Sequence, residues 1–189
     1  MDGHETRVAA VTADDGVVYL TPDLSVEGRR SFRSALGQFA TGVAVITTRD
    51  AAGMDIGITV NSFSSLSLDP PMILWSIGHD SKSLDVFAMH SRFAVNVLAR
   101  HHEDLARHFA VSARDQFDTV PASGLPVRRG LGEIPLIGGS MCYLECRVDA
   151  LLPGGDHTIV VGRVDRFASP GGSPLLFHSG KFTSLDEGQ

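Results

Sequence analysis

The chain has 189 residues, 43% hydrophobic and 20% charged, with one tryptophan, 9 prolines and 20 glycines. This is the size and make-up of one globular domain that buries its own core, which excludes wholesale disorder, collagen and coiled coil. A formal net charge of −6 at pH 7 argues against a nucleic-acid or anionic-membrane partner, since a phosphate polymer meets net repulsion, but leaves small ligands open.

Residues 1–27 lack sustained periodicity and read as an N-terminal tail that is mobile or docks locally through Val17-Val18-Tyr19-Leu20; residues 28–189 read as the domain. Met1 is followed by Asp2 and Glu5 rather than a basic and then apolar stretch. No apolar run approaches the ~18–20 residues that span a bilayer, so the sequence reads as cytoplasmic. From Gly28, Phe32, Ala35, Leu36 and Phe39 recur at helical spacing and predict one amphipathic helix ending by Gly42. Val43–Thr48 and Ile56–Ser62 are rich in β-branched residues around the turn at Asp50–Gly53, which predicts a hairpin. Asp69-Pro70-Pro71 interrupts the chain before Met72–Ile77, an apolar strand expected to be buried on both faces.

Ser81-Lys82-Ser83 suits the start of a short helix with Leu84, Phe87 and Ala88 on its apolar side. Arg92–Leu98 predicts a strand, Leu105, Ala106 and Phe109 a helix, and residues 111–139 a loop-like stretch. In Cys142–Leu152 the alternation puts Cys142, Leu144, Cys146, Val148, Ala150 and Leu152 on one face and Tyr143, Glu145, Arg147 and Asp149 on the other. At ~3.3 Å per residue the two cysteines stand roughly 13 Å apart, beyond the ~4.4–6.8 Å of a disulfide. Thr158–Phe167 pairs back through the turn at Pro153–Asp156, and Leu175–His178 closes the series. Seven strands with hairpin-sized connections and about three short helices predict a mostly β fold, an antiparallel barrel with peripheral helices.

Motifs of other chemistries fail on spacing. Gly130-Leu131-Gly132-Glu133-Ile134-Pro135 lacks the third glycine and the helix of a dinucleotide fingerprint, and Gly180-Lys181 lacks the remainder of a phosphate loop. His101, His102, Glu103 and His108 fit a solvated helix face better than a zinc site, so no metal is expected. What remains is Thr59–Ser67, with six small polar residues in nine. As a plain edge strand it would face water; set against the apolar strand that follows, its hydroxyls and the Asn61 amide could instead meet a flat heteroaromatic ring. Ser81, Lys82 and Ser83 would then suit a phosphate, the alternative being plain helix capping.

From about Phe32 to Leu185 these residues, in order, resemble the flavin reductase family of FMN-binding split barrels with Greek-key topology. The resemblance rests on Phe39-Ala-Thr-Gly-Val43, Gly57-Ile-Thr-Val-Asn-Ser-Phe63, Ser67-Leu-Asp-Pro-Pro71, Phe93-Ala-Val-Asn-Val-Leu98, Leu144-Glu-Cys146, Gly155-Asp-His157 and Pro174-Leu-Leu-Phe177. It implies reduction of free FAD or FMN by NADH or NADPH, with reduced flavin passed to a separate monooxygenase, as in polyketide and enediyne antibiotic pathways. It also implies a homodimer. Thr59, Asn61, Ser62 and Ser67, with Val60 and Ser65, would line the flavin ring and ribityl chain, Ser81, Lys82 and Ser83 would hold phosphate, and Phe109 would pack nearby. His157 resembles the histidine that meets the nicotinamide, with Phe39, Lys181 and Phe182 near it; many relatives carry Tyr where Phe182 stands. The resemblance leaves two alternatives, a flavin-binding carrier or sensor without turnover and an FMN-retaining oxidase similar to pyridoxamine-phosphate oxidase. Such chemistry belongs to the cofactors, and the protein stacks and orients them.

Overall fold

The computed structural model describes residues 10–13, 15–111, 116–119 and 126–185. In chain order the strands and helices are β1 (Ala10–Thr12), β2 (Val18–Leu20), α1 (Val26–Leu36), β3 (Thr41–Gly42), β4 (Ala44–Arg49), β5 (Asp55–Val60), β6 (Ser64–Leu68), β7 (Pro71–Gly78), α2 (Leu84–Met89), β8 (Arg92–Val97), α3 (Glu103–Ala110), β9 (Val127–Arg129), β10 (Pro135–Ile137), β11 (Cys142–Gly154), β12 (His157–Ala168), β13 (Leu176–His178) and β14 (Lys181–Thr183). The predicted mostly β composition with few helices is what is observed. By compactness the chain divides into two units, residues 1–40 with 178–181 and residues 41–177 with 182–189.

In the first unit β1 pairs antiparallel with β2, so Val18, Tyr19 and Leu20 of the apolar patch form a short strand. Helix α1 starts two residues before the predicted Gly28, because the Ser25 hydroxyl accepts from the Gly28 amide at 3.0 Å and caps the first turn. The predicted stripe is not buried here: Phe32 is 50% and Leu36 59% exposed, and Phe39 lies beyond the helix.

The second unit is built on a seven-stranded sheet of order β5-β4-β8-β11-β12-β7-β6. Its middle is the long β11–β12 hairpin, turned at Gly155-Asp156, where Gly155 takes a φ of +72° that a side chain would strain. The edge strands β5 and β6 are consecutive in the chain and joined only by Asn61-Ser62-Phe63, so the sheet must curl until its two ends meet there. One core cluster accordingly draws on most of the sheet, with Ile46, Val60, Trp75, Phe93, Cys146 and Val160 beside Phe87 of α2. Strand β7 is fully buried on one face through Ile73, Trp75 and Ile77 and only half-buried on the other, which corrects the expectation of two buried faces.

Two further expectations are corrected. The loop-like stretch contains the antiparallel pair β9–β10, held by a buried polar network that local sequence does not reveal. Asn96 donates to the Val45 carbonyl and Thr47 hydroxyl, each at 3.0 Å, and accepts from the Ile137 amide at 2.8 Å, while Thr47 donates to the Pro135 carbonyl at 2.6 Å. The alternation of β11, regular against β8 from Cys142 to Arg147, is broken by the extra residue Asp149, which has no partner on β12. Tyr143 and Glu145 keep the shared face that the alternation gives them and are buried there, Glu145 receiving the Arg166 guanidinium and the Leu131 amide.

His102 yields a prediction about pH. Its ring is buried and accepts at Nδ1 from the Ala99 amide. Burial first and the neighbouring His101 second push its pKa down to about 4, against an opposing backbone hydrogen bond with Gly138. The native state thus holds this ring neutral where the unfolded chain protonates it. The contribution is complete above the unfolded pKa of 6.5 and is lost as pH falls towards 4. Urea unfolding at pH 7 and pH 4.5 should show a loss of about 2 kcal/mol from this group, and His102→Gln should flatten the slope by that amount.

Candidate functional site

Where the ends of the sheet meet, a cleft of about 630 Å³ opens within the second unit, a size suited to a small-molecule ligand. Its walls are the end of β5 with Asn61 and Ser62, the end of β7 with the turn after it, the first residues of β12, and α3. Each wall depends on a local device. Gly57 lets α3 lie close against β5: a Cβ there would stand 2.6 and 2.7 Å from two ring atoms of Phe109. Phe109 is fully buried, backed by Phe117 at a ring-centroid separation of 5.0 Å, and still borders the cleft. Thr59 donates to the Ala106 carbonyl at 2.7 Å, a second tie from β5 to α3.

Ser62 is spent on architecture. Its hydroxyl donates to the Ser76 carbonyl at 3.2 Å and accepts from the Ser76 amide at 3.0 Å, so it joins the end of β5 to β7 as a strand would. On the opposite wall the turn Gly78–Ser81 is closed by the Ser81 amide on the Gly78 carbonyl at 3.0 Å. The Ser83 amide donates to the Ser81 hydroxyl at 3.3 Å, while the Ser83 side chain makes no capping bond to α2. His157 opens β12 opposite Gly78. Its Nδ1 lies 2.7 Å from Asp156 Oδ1, and that bond, followed by the charge of His157, holds the Asp156 carboxyl below the usual range.

Of the residues singled out from sequence, Thr59, Val60, Asn61, Ser62, Ser81, Ser83, Phe109 and His157 line this cleft. Lys82 is exposed beside Ser81 and Ser83 and does not line it, and Ser65 and Ser67 sit on β6, outside the lining. A bulge between Ser65 and Ser67 shifts that strand's register against β7. Phe182 is in an apolar cluster, edge-on to Phe177 at 5.4 Å, with the Arg107 guanidinium 4.9 Å over its ring. Phe39 and Lys181 belong to the first unit. The lining also includes Gly57, Ser76, Gly78, Asp80 and Gln116, which sequence reasoning missed as site residues. Gly57 opens one of the resemblance motifs and Gly78 closes β7 ahead of Ser81-Lys82-Ser83, and their lack of a side chain was the available signal. Among the described residues no group of three or more His, Cys, Asp or Glu could hold a metal ion. Cys146 is buried in the core, where burial and nearby carboxylates push its thiol up to about 12, so it is not a nucleophile at neutral pH.

Comparison with known proteins agrees in extent and kind. A family model described as "Flavin reductase like domain" matches residues 36–186. The FMN reductase (NADH) SmoA of Agrobacterium fabrum is 42% identical over 159 residues, covering 82% of this chain and 86% of that protein. A probable flavin reductase of Rhizobium meliloti is 37% identical over 153 residues, covering 81% of this chain and 48% of the relative, so the chain spans about half of that protein. Among solved structures, the NADH:FAD oxidoreductase SgcE6 of Streptomyces globisporus C-1027 superposes with a TM-score of 0.79 at 35% identity, covering 89% of this chain and 99% of its own; it is also known with NAD and FAD fragments. Further relatives are reductase components of flavin-dependent monooxygenases. The seven motifs in register, the cleft at the meeting of the sheet ends and these matches converge: the chain belongs to the flavin reductase like domain family.

Proposed function

We propose that the chain is an NADH-dependent flavin reductase whose cleft receives flavin and nicotinamide and whose reduced flavin serves a separate monooxygenase. The observation that carries this is the cleft itself: one wall offers backbone and small hydroxyls beside the Phe109 ring, and the facing end offers His157. Its volume and lining fit flat, hydroxyl-bearing ligands. With both ligands bound, the nicotinamide supplies a hydride to the flavin ring. The protein's part is to hold the two rings in reacting contact, about 3–3.5 Å apart, and to exclude other geometries. Thr59, Asn61 and the strand end around them would face the flavin, and Ser81 and Ser83 its phosphate end, with Lys82 at the rim. His157 would meet the nicotinamide.

The curled sheet supports a split-barrel reading: β5 and β6 come together through three residues but do not pair with each other. The exposed apolar side chains of α1 support a homodimer, which light scattering on the purified protein would reveal. No helix among the described residues is long and apolar enough to cross a membrane.

The direct test follows absorbance at 340 nm with NADH and excess FAD or FMN. Consumption well above the uncatalysed rate is expected, and its absence would sink the reading. Lys82→Ala should weaken binding of FMN by about threefold to tenfold at low salt and much less at high salt, with riboflavin unaffected, because an exposed cation acts on phosphate through a screened field. Flavin fluorescence titrations at two ionic strengths check this.

A further inference from the structure

One end of the cleft carries a carboxylate. Asp80 lines the cleft from the turn after β7. Its Oδ1 lies 2.7 Å from the point that a Cβ on Gly78 would occupy, and His157 Nε2 lies 3.7 Å from that same point. Carboxylate and imidazole therefore share the space above the bare backbone of Gly78. Among the residues lining the cleft, these two are the ionisable ones.

The His157 ring is held through Nδ1 and leaves Nε2 to the cleft. Asp156 takes Nδ1 at 2.7 Å, and the Asp156 carbonyl accepts from the His79 amide at 2.9 Å, which ties the hairpin turn to the end of β7. An ionised carboxylate can only accept, so Nδ1 carries the hydrogen and, in the neutral imidazole, Nε2 holds the lone pair. The end of the cleft thus sets two acceptors side by side, the Asp80 carboxylate and His157 Nε2.

We propose that Asp80 is a specificity-determining residue, which together with His157 Nε2 reads the primary carboxamide of the nicotinamide ring through its two N–H donors. The inference rests on the reading of the cleft as the nicotinamide site and extends it to the atom group recognised. A ring bearing a carboxylate at that position would leave both acceptors unpaired and set like charges together. Sites built to bond a donor reject analogues lacking it far more strongly than apolar pockets reject a change of size, and opposed like charges add to the rejection. Asp156 enters as a positioning residue, acting through the ring it holds.

The test uses the whole protein with saturating FAD and compares NADH with reduced nicotinic acid adenine dinucleotide, in which the carboxamide is a carboxylate. In the wild type the acid analogue should show a kcat/KM lower by about thirtyfold or more. In Asp80→Asn, whose amide can donate to the carboxylate, the ratio should fall to about threefold. Asp80 is exposed in a turn, and a melting curve establishes that the variant is folded; Asp80→Ser is the second variant if Asn disturbs that turn. NADH turnover with a ratio that neither variant alters, or a wild type that uses the two dinucleotides equally, overturns the assignment of Asp80 and leaves the reductase reading standing. Failure of the wild type to consume NADH overturns the reductase reading and this assignment together.

Discussion

Substituting Gly57 with alanine should destabilise the protein by about 2 kcal/mol, lowering its melting midpoint by about 4–8 °C, and should weaken flavin binding in the same step. The added methyl would stand 2.6 and 2.7 Å from Phe109 Cδ1 and Cε1 and 3.4 Å from Phe117. These are ring atoms inside a packed cluster, and Phe109 cannot swing into solvent to relieve the clash. The ring must move along its only open side, into the cleft, or α3 must lift from β5 and strain the Thr59–Ala106 bond. Thermal melts and flavin titrations read the two consequences separately. Phe109→Leu in the same chain should recover part of the lost stability, since a coupled pair is non-additive when the substitutions share one collision. Unchanged melting and unchanged titration in Gly57→Ala would mean that α3 yields freely, contrary to the packing described.

His157→Ala should raise the KM for NADH about tenfold, with flavin affinity changed by less than about twofold. The residue stands at the first position of β12, opposite Gly78 and across the cleft from the hydroxyl-bearing strand end. Its removal takes away a group from one end of the cleft without touching the ties among β5, β7 and α3. The expected separation of effects follows from that placement. Steady-state kinetics with NADH varied at saturating flavin, together with flavin titrations of the free protein, decide it. A variant that binds flavin tenfold more weakly at unaltered NADH KM would remove His157 from the nicotinamide end.

How far the sequence alone reached differs from element to element for physical reasons. The long β11–β12 hairpin and the helix through Leu105, Ala106 and Phe109 were legible because their apolar spacing and turn chemistry are local. The faces beyond Val148 were not, since the extra residue Asp149 shows only against the partner strand and shifts every following side chain. The stripe on α1 had the spacing of a buried helix and lies exposed within its unit. In the candidate site, Asn61, Ser81 and Ser83, which line the cleft, were legible because small polar residues cluster in sequence there. Ser62 belongs to the same cluster but gives both hydrogen-bonding functions to Ser76, a use that only the curl of the sheet creates. Ser65 and Ser67 share the composition and lie beyond the lining, on the strand that the bulge displaces. Asp80 was passed over because a lone acidic residue in a turn has no pattern; its meaning comes from a histidine far along the chain.

The order of the seven-stranded sheet has a kinetic consequence. Only β11–β12 and the short β4–β5 and β6–β7 pairs are local hairpins, whereas β4–β8, β8–β11 and β7–β12 join distant segments. The β4–β5–β8 wing and the β6–β7 wing must each dock on opposite sides of the central hairpin before the sheet is whole, and such long-range pairings are slow to form. The cleft takes residues from both wings, so a chain with one wing undocked has strands but no binding site. In refolding, β-sheet circular dichroism should therefore recover ahead of flavin fluorescence quenching. Ligand capacity is the last property this chain acquires, and added flavin would favour the completed molecule over every partly assembled one.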